Sequence, residues 1–274
     1  MQSGPRYLTD EDLQVLTLLN PSNVPANQPN VIHDEYGSIG QTADGRMFRY
    51  VSFAGTSTIE PGLLLTAAAA PSNSTGLAIA ALTAQPENTA TGNGAATGAS
   101  ALSAGSTAFN ITNGSTSVTQ DQFGYVEVIV SAGGTYNLKL RGNTAGGNGA
   151  TVTLYLRDPL PQTITQLIPG TDTVNLRLNP YKAPTVTLTQ GLSVGETIVS
   201  VPQSSTASYA GWVQTRGKAF VQATSGTLGY PVGQDSAGTA GFVINKSSGT
   251  TTPEIGVFIT AEASSTANVF LKID

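Results

Sequence analysis

The chain has 274 residues, a formal net charge of −5 and only 11% charged residues, less than half the usual share. Its basic residues form no run longer than the Arg46/Arg49 pair, which argues against nucleic acid as a partner. It has no cysteine, which excludes disulfides and thiolate metal sites. Gly, Ala, Ser, Thr and Asn take the place of charge, a composition suited to a protein packed against copies of itself rather than dispersed in solution.

In chain order, the opening Met1-Gln2-Ser3-Gly4-Pro5-Arg6 lacks the basic-then-apolar layout of a signal peptide. No apolar run approaches the ~20 residues of a membrane span. The expectation is a protein made in a cytoplasm, with no membrane partner. Thr9 precedes Asp10, Glu11 and Asp12, a cap residue followed by acids that favour the positive end of a helix. Leu13, Leu16 and Leu19 follow at helical spacing with Val15 beside them, and Asn20-Pro21 stops the pattern. The segment to Ile39 contains Pro21, Pro25 and Pro29 and has no period. Residues 1–40 therefore read as an extended arm carrying one small amphipathic helix.

The rest alternates with period two, the mark of half-buried strands. Val126, Val128 and Val130 form one such set, Leu138 and Leu140 another, Val152, Leu154 and Leu156 a third, and Val174, Leu176 and Leu178 a fourth. Near the C-terminus Ile255, Val257 and Ile259 form one more, and Val269, Leu271 and Ile273 the last. Turn signals such as Ala132-Gly133-Gly134, Gly142–Gly149 and Asn113-Gly114 separate the runs. Short strands without helices between them predict an all-β chain of sandwich or barrel domains.

Residues 85–104 are nearly pure Ala, Gly, Thr, Ser and Asn and read as a linker or loop. The predicted division is an arm (1–40), a β segment (41–84), this linker, a central β domain (105–190) and a C-terminal β domain (191–274). Tyr50-Val51-Ser52-Phe53 before Pro61-Gly62 is echoed by Phe220-Val221-Gln222-Ala223 before Tyr230-Pro231. Because 41–84 is short for a β domain of its own, its strands are expected to pair with 191–274.

Several of these runs carry a resemblance. Gly40-Gln41-Thr42-Ala43-Asp44-Gly45-Arg46 into Phe48-Arg49-Tyr50-Val51 resembles the opening of structural proteins encoded beside major capsid proteins in tailed phages. Asp121–Tyr125, Gly134-Thr135-Tyr136, Leu154–Leu160 and Asn179-Pro180-Tyr181 are similar to the middle of the same proteins. Tyr209–Ala219 resembles a C-terminal module of capsid decoration proteins. The resemblance implies a non-enzymatic virion protein, without cofactors, that sits on the capsid exterior and bridges subunits of the major capsid protein. It also implies self-association, with a homotrimer as the closed form and a dimer as the alternative. Leu13, Leu16 and Leu19 would be the capsid-binding stripe of the arm. A receptor- or glycan-binding head fibre is the rival reading, and a β-fold glycoside hydrolase the third.

Few residues invite chemistry. His33-Asp34-Glu35 would point to alternate sides of an extended segment and needs further ligands to hold a metal. With one His in the chain, a Ser-His-Asp triad would have to use His33, and no nucleophile elbow accompanies it. Asp121 with Glu127, or Asp158 with Asp172, are the acid pairs a glycosidase would need. Gly92–Gly98 lacks the strand and helix of a nucleotide loop. Trp212, the single tryptophan, reads as a core anchor, with an interface anchor as the alternative. Thr151, Thr153 and Tyr155, with Thr173 and Asn175, suggest a charge-poor strand face to be buried against sister subunits.

Overall fold

The computed structural model describes residues 5–19, 35–53, 57–67, 81–82, 100–112, 117–130, 134–147, 150–167, 173–187, 192–203, 208–235, 238–246, 253–260 and 265–273. The fold is all-β with one short helix. First come β1 (Arg6–Tyr7), α1 (Asp10–Gln14), β2 (Thr17–Leu19), β3 (Ile39–Gln41), β4 (Met47–Ser52) and β5 (Leu64–Thr66). Then follow β6 (Ala81–Leu82), β7 (Ser100–Leu102), β8 (Ala108–Thr112), β9 (Phe123–Val130), β10 (Gly134–Asn143), β11 (Thr151–Leu156), β12 (Ile164–Leu167) and β13 (Thr173–Leu178). Last are β14 (Ser193–Thr197), β15 (Ser208–Ala223), β16 (Pro231–Gln234), β17 (Val243–Asn245), β18 (Gly256–Phe258) and β19 (Ser265–Lys272). The chain divides into two compact units. The first holds α1, β1–β5 and β14–β19; the second holds β6–β13 and is an insertion in the sequence of the first.

The first unit is organised by β15, sixteen residues long. Its second half pairs antiparallel with β19, from Arg216↔Lys272 to Ala223↔Ser265. β15, β17, β16, β18 and β19 pair in that order, and the return from β19 to β15 closes a five-stranded barrel. Alternate residues of those strands fill it: Ala219, Val221 and Ala223, Val232, Val243, Phe258, and Ala267, Val269 and Leu271. Small residues on β15 leave room for the Phe258 ring, the usual large-against-small fit of a narrow barrel.

The first half of β15 belongs to a different layer. It pairs with β4 from Ala210↔Ser52 to Arg216↔Met47, with β2 at Ser208–Ala210, and with β14 at Val213 and Gln214. Both faces of this layer are covered. Ala210 and Trp212, with Phe48 and Tyr50 of β4, pack on Leu8, Leu13 and Tyr36. Val213 and Val51 pack on the other side with Phe53, Ile59, Leu65, Val194 and Val201. The change from layer to barrel falls at a register shift between Gln214 and Arg216. There Gly217 takes φ +97°, a left-handed conformation that costs other residues energy.

The N-terminal segment departs from the expected arm. Thr9 caps α1 and Asp12 closes the capping box, but the helix ends at Gln14, so Leu13, Leu16 and Leu19 share no helical face. Leu13 is buried beside Leu8 and Trp212, Leu16 packs on the opposite cluster, and Leu19 lies in β2 against β15. β1 pairs parallel with β3. Leu13 and Leu16 thus pack within the chain's own unit instead of awaiting a partner, and the side chain of Leu19 lies outside the described residues.

A second departure concerns Ile255, Val257 and Ile259. Ile255 and Phe258 are buried, while Ile259 is exposed. A Cβ at Gly256 would run into the Phe270 carbonyl. The strand therefore hugs β19 at that point and resumes its alternation one residue out of phase.

The inserted unit is a six-stranded sheet in the order β13-β9-β10-β11-β8-β6, every neighbouring pair antiparallel, with β7 and β12 paired separately. Val126, Val128, Leu140, Val152, Leu154, Leu156 and Leu176 face one core with Phe109, Ile111 and Phe123. Asn143, fully buried, fastens the entry to β9. Its Oδ1 accepts from the Phe123 amide at 3.0 Å, and its Nδ2 donates to the carbonyls of Thr119 and Thr144, both at 2.9 Å.

Candidate functional site

The strand layer and the barrel of the first unit meet along β15, and a cleft of about 970 Å³ follows that strand. Its walls come from the β3–β4 turn (Asp44–Arg46), the turn before β5 (Glu60–Gly62), β14, β15 and β19. The Pro61-Gly62 turn is tied in from both sides. The Gly62 amide donates to the Thr197 carbonyl at 2.7 Å, and the Gln222 amide donates to the Gly62 carbonyl at 2.8 Å. The Thr197 hydroxyl donates to the Glu60 carbonyl at 2.7 Å. Gly62 takes φ +85°, and a Cβ there would press on the β15 backbone.

Glu196 sits at the inner end of this cleft. It is 3% exposed, and its Oε2 has no hydrogen-bond partner among the described residues. Burial raises its pKa well above the usual carboxylate range, and the positive charge of Arg46 offsets only part of that. Arg46 is engaged elsewhere: its Nε lies 2.7 Å from Asp44 and its Nη2 3.4 Å from Asp10. Asp44 is held below its usual range, first by the Thr42 hydroxyl and then by Arg46. Gln214, opposite Glu196 in the β14–β15 pairing, donates to the carbonyls of Arg216 (3.2 Å) and Lys218 (2.8 Å). It thereby bridges the register shift of β15 inside the cleft.

The outer end is aromatic. Phe220 and Phe270 line it at 65% and 42% exposure. Phe220 pairs with Asn268 and Phe270 with Lys218, so the two rings occupy diagonal positions on adjacent strands, within reach of each other. The cleft is lined by the cations Arg46, Arg216 and Lys218 and by the acids Asp44, Glu60 and Glu196, and burial of Glu196 weights the balance toward positive charge.

None of these residues was singled out from the sequence as a site. Glu196 lies in Ser-Val-Gly-Glu-Thr, a polar run in which every residue is buried, and only the covering of both sheet faces reveals it. Trp212, which was, is buried in the strand layer, edge-on to Tyr50 at 5.2 Å between ring centres. No family model, curated protein or solved structure matches the chain.

The other sequence candidates do not converge. His33 and Asp34 lie outside the described residues, as do Asp172 and Gly92–Gly98. Asp121 is buried at the entry to β9, whereas Glu127 lies further along that strand between the core residues Val126 and Val128. Phe123 to Glu127 alone spans about 13 Å of strand, beyond the ~5–10 Å separation of a glycosidase pair. Among the described residues no group of three or more His, Cys, Asp or Glu is placed to hold a metal ion. No helix among them is long and apolar enough to cross a membrane.

The face expected to be charge-poor is not. Thr153 and Tyr155 lie on it, the Thr153 hydroxyl donating to Asn110 at 2.8 Å. Register brings cations alongside: Lys139 and Arg177 flank Tyr125, and Arg141 lies over the Tyr155 ring at 5.5 Å. These charges sit on separate strands, so no local run announces them. The side chains of Thr173 and Asn175 fall outside the described residues.

Proposed function

We propose that the chain is a virion structural protein that decorates the outside of a tailed-phage capsid and holds neighbouring major capsid subunits together. The supporting observation is an exposed apolar rim on the barrel. Leu228 and Tyr230 are 63% and 55% exposed on the turn before β16. That turn is bonded to the end of β18, with Gly229 N–H to the Phe258 carbonyl at 2.9 Å and Phe258 N–H to the Tyr230 carbonyl at 3.0 Å. The bonding places exposed Ile259 alongside. Large apolar side chains grouped on a rigid rim mark an interaction surface. In a chain with 11% charge, they suit a dry contact repeated over many copies. The resemblance of residues 40–46, 48–51, 121–125, 134–136, 154–160, 179–181 and 209–219 to capsid-associated proteins supplies the partner.

With Leu13 and Leu16 committed to the unit's own cores, attachment is assigned to this rim instead of to an N-terminal stripe. Purified protein should co-sediment with capsids of its phage that lack it. The double variant Leu228→Glu with Tyr230→Glu should fold with an unchanged melting temperature and fail to co-sediment. Retention of the double variant on capsids would refute the rim, and failure of the unmodified protein to bind would refute the capsid reading.

The same reading expects self-association. A two-fold contact would set the face bearing Lys139, Arg141 and Arg177 against its own copy, whereas a closed trimer joins two different patches of the chain and avoids that repulsion. Light scattering should give a mass near three times the 28.0 kDa of one chain. A monomeric mass at micromolar concentration overturns association, and a dimeric mass overturns the trimer.

A further inference from the structure

The outward face of the β15–β19 ladder is at once basic and aromatic. Arg216, Lys218 and Phe220 alternate outward along β15 while Ala219 and Val221 fill the barrel. Pairing sets Arg216 opposite Lys272, Lys218 opposite Phe270 and Phe220 opposite Asn268. Three cations and two phenyl rings therefore share one surface about 14 Å long. All five side chains are exposed, and none of the cations forms an ion pair with a described residue. Of the acids lining the adjoining cleft, Glu196 is buried and Asp44 is held by Arg46 at 2.7 Å, which leaves Glu60 to face three positive charges. A surface of this kind is complementary to one that is acidic and apolar.

The chain carries such a surface itself. Leu8 and Leu13 are anchored in the strand layer, and the residues beside and between them are turned outward. They are Asp10, Glu11, Val15 and Tyr7, which at 80% is the most exposed of the large apolar residues described. The charge there is negative. Arg6 offsets Asp12 at 3.1 Å, and Arg46 is shared between Asp44 and Asp10, so the four acids exceed the two cations. Of the three helix acids the capping box takes up Asp12 alone.

The basic face and the acidic segment are different patches of one unit, so each copy offers the next what that copy's own patch requires. Head-to-tail contacts between unlike patches close into rings when the rotation allows. We propose that segment 7–15 of one copy docks on the face formed by residues 216–220 and 270–272 of the next, its acids against Arg216, Lys218 and Lys272, and Tyr7 and Val15 against the two phenyl rings. This docking presupposes the self-association expected above and gives it a surface, with Leu228, Tyr230 and Ile259 outside it. An anionic bilayer fits less well, because the turns bearing Asp44 and Glu60 stand on the cleft walls beside the rings and would meet it with like charge.

Light scattering and sedimentation velocity on the full chain test the pairing by reversing its charges. The unmodified protein should form an oligomer that loosens as salt is added. Lys218→Glu with Lys272→Glu should weaken association at least tenfold, and so should Asp10→Lys with Glu11→Lys. The quadruple variant, with both surfaces reversed, should recover to within about threefold of the unmodified protein. Phe220→Ala alone should cost about tenfold. A monomeric unmodified protein overturns this docking together with the self-association beneath it. An oligomer indifferent to the reversals, or one that the quadruple variant fails to restore, overturns the docking alone. An intact oligomer of Lys218→Glu with Lys272→Glu that no longer co-sediments with capsids would also overturn it, by making the occupant a capsid subunit. Vesicles of anionic phospholipid bound through the same cations, with the oligomer unaffected by their reversal, would overturn it in favour of a lipid surface. Should Asp10→Lys with Glu11→Lys fail to fold, Phe220→Ala and Lys218→Glu with Lys272→Glu decide the matter, since they alter exposed side chains of the barrel.

Discussion

The two units are both β, yet they solve burial differently. The inserted sheet has one apolar core and alternates cleanly, with Val152, Leu154 and Leu156 inward and Thr151, Thr153 and Tyr155 away from it. The barrel unit stacks three apolar clusters along β15 and buries Ser193, Glu196, Thr197, Gln214 and Thr215 near the junction of layer and barrel. One-sided burial gives a pattern of period two. Two-sided burial erases it and admits polar groups wherever hydrogen bonds or a cleft can serve them. The region with the poorer pattern is therefore where the candidate site lies.

The contrast can be broken most forcefully through the cores. Phe109→Ala in the inserted unit and Phe258→Ala in the barrel should each cost about 3–5 kcal/mol. If the units are separate cooperative bodies, calorimetry should show each substitution lowering one transition and leaving the other in place. A single transition lowered equally by both would merge them.

A smaller effect is expected from Asn143→Ala. It removes three hydrogen bonds and leaves buried backbone groups unserved, for about 1–3 kcal/mol confined to the inserted unit's transition. Calorimetry, with Trp212 fluorescence in a urea titration as the barrel unit's separate reporter, would measure it. Loss from the tryptophan signal would contradict the assignment.

The smallest effect is pH-dependent. Glu196 has its pKa raised by burial, so the folded state holds its proton more tightly than the unfolded chain does. Stability from this group is complete below the ordinary carboxylate pKa and is lost as pH rises toward the raised folded value. Glu196→Gln should match the unmodified protein in acid and exceed it progressively above the ordinary Glu range. Parallel melting-temperature curves from acid to neutral pH would show that Glu196 is charged in the fold.

What the sequence disclosed follows the same division. All-β architecture was legible because alternation survives in the inserted sheet and in β19. The Thr9–Asp12 cap was legible because capping is local. Leu16 and Leu19 were misread because a period of three residues cannot tell a longer helix from one turn followed by a strand. Ile255–Ile259 was misread because Gly256 shifts the phase by one residue. Glu196, Phe220 and Phe270 come together only through pairing of β5, β14, β15 and β19, which no local window contains.

The insertion also imposes an order on synthesis. β4 is made early, and its hydrogen-bond partner in β15 leaves the ribosome only after all of β6–β13. The inserted sheet, whose strands pair among themselves, can fold while β4 waits with its edge open. Nascent chain arrested before Ser208 would carry a finished sheet and a Phe48-Arg49-Tyr50-Val51 strand paired only on its β3 edge, the other edge being the one most exposed to capture by another chain.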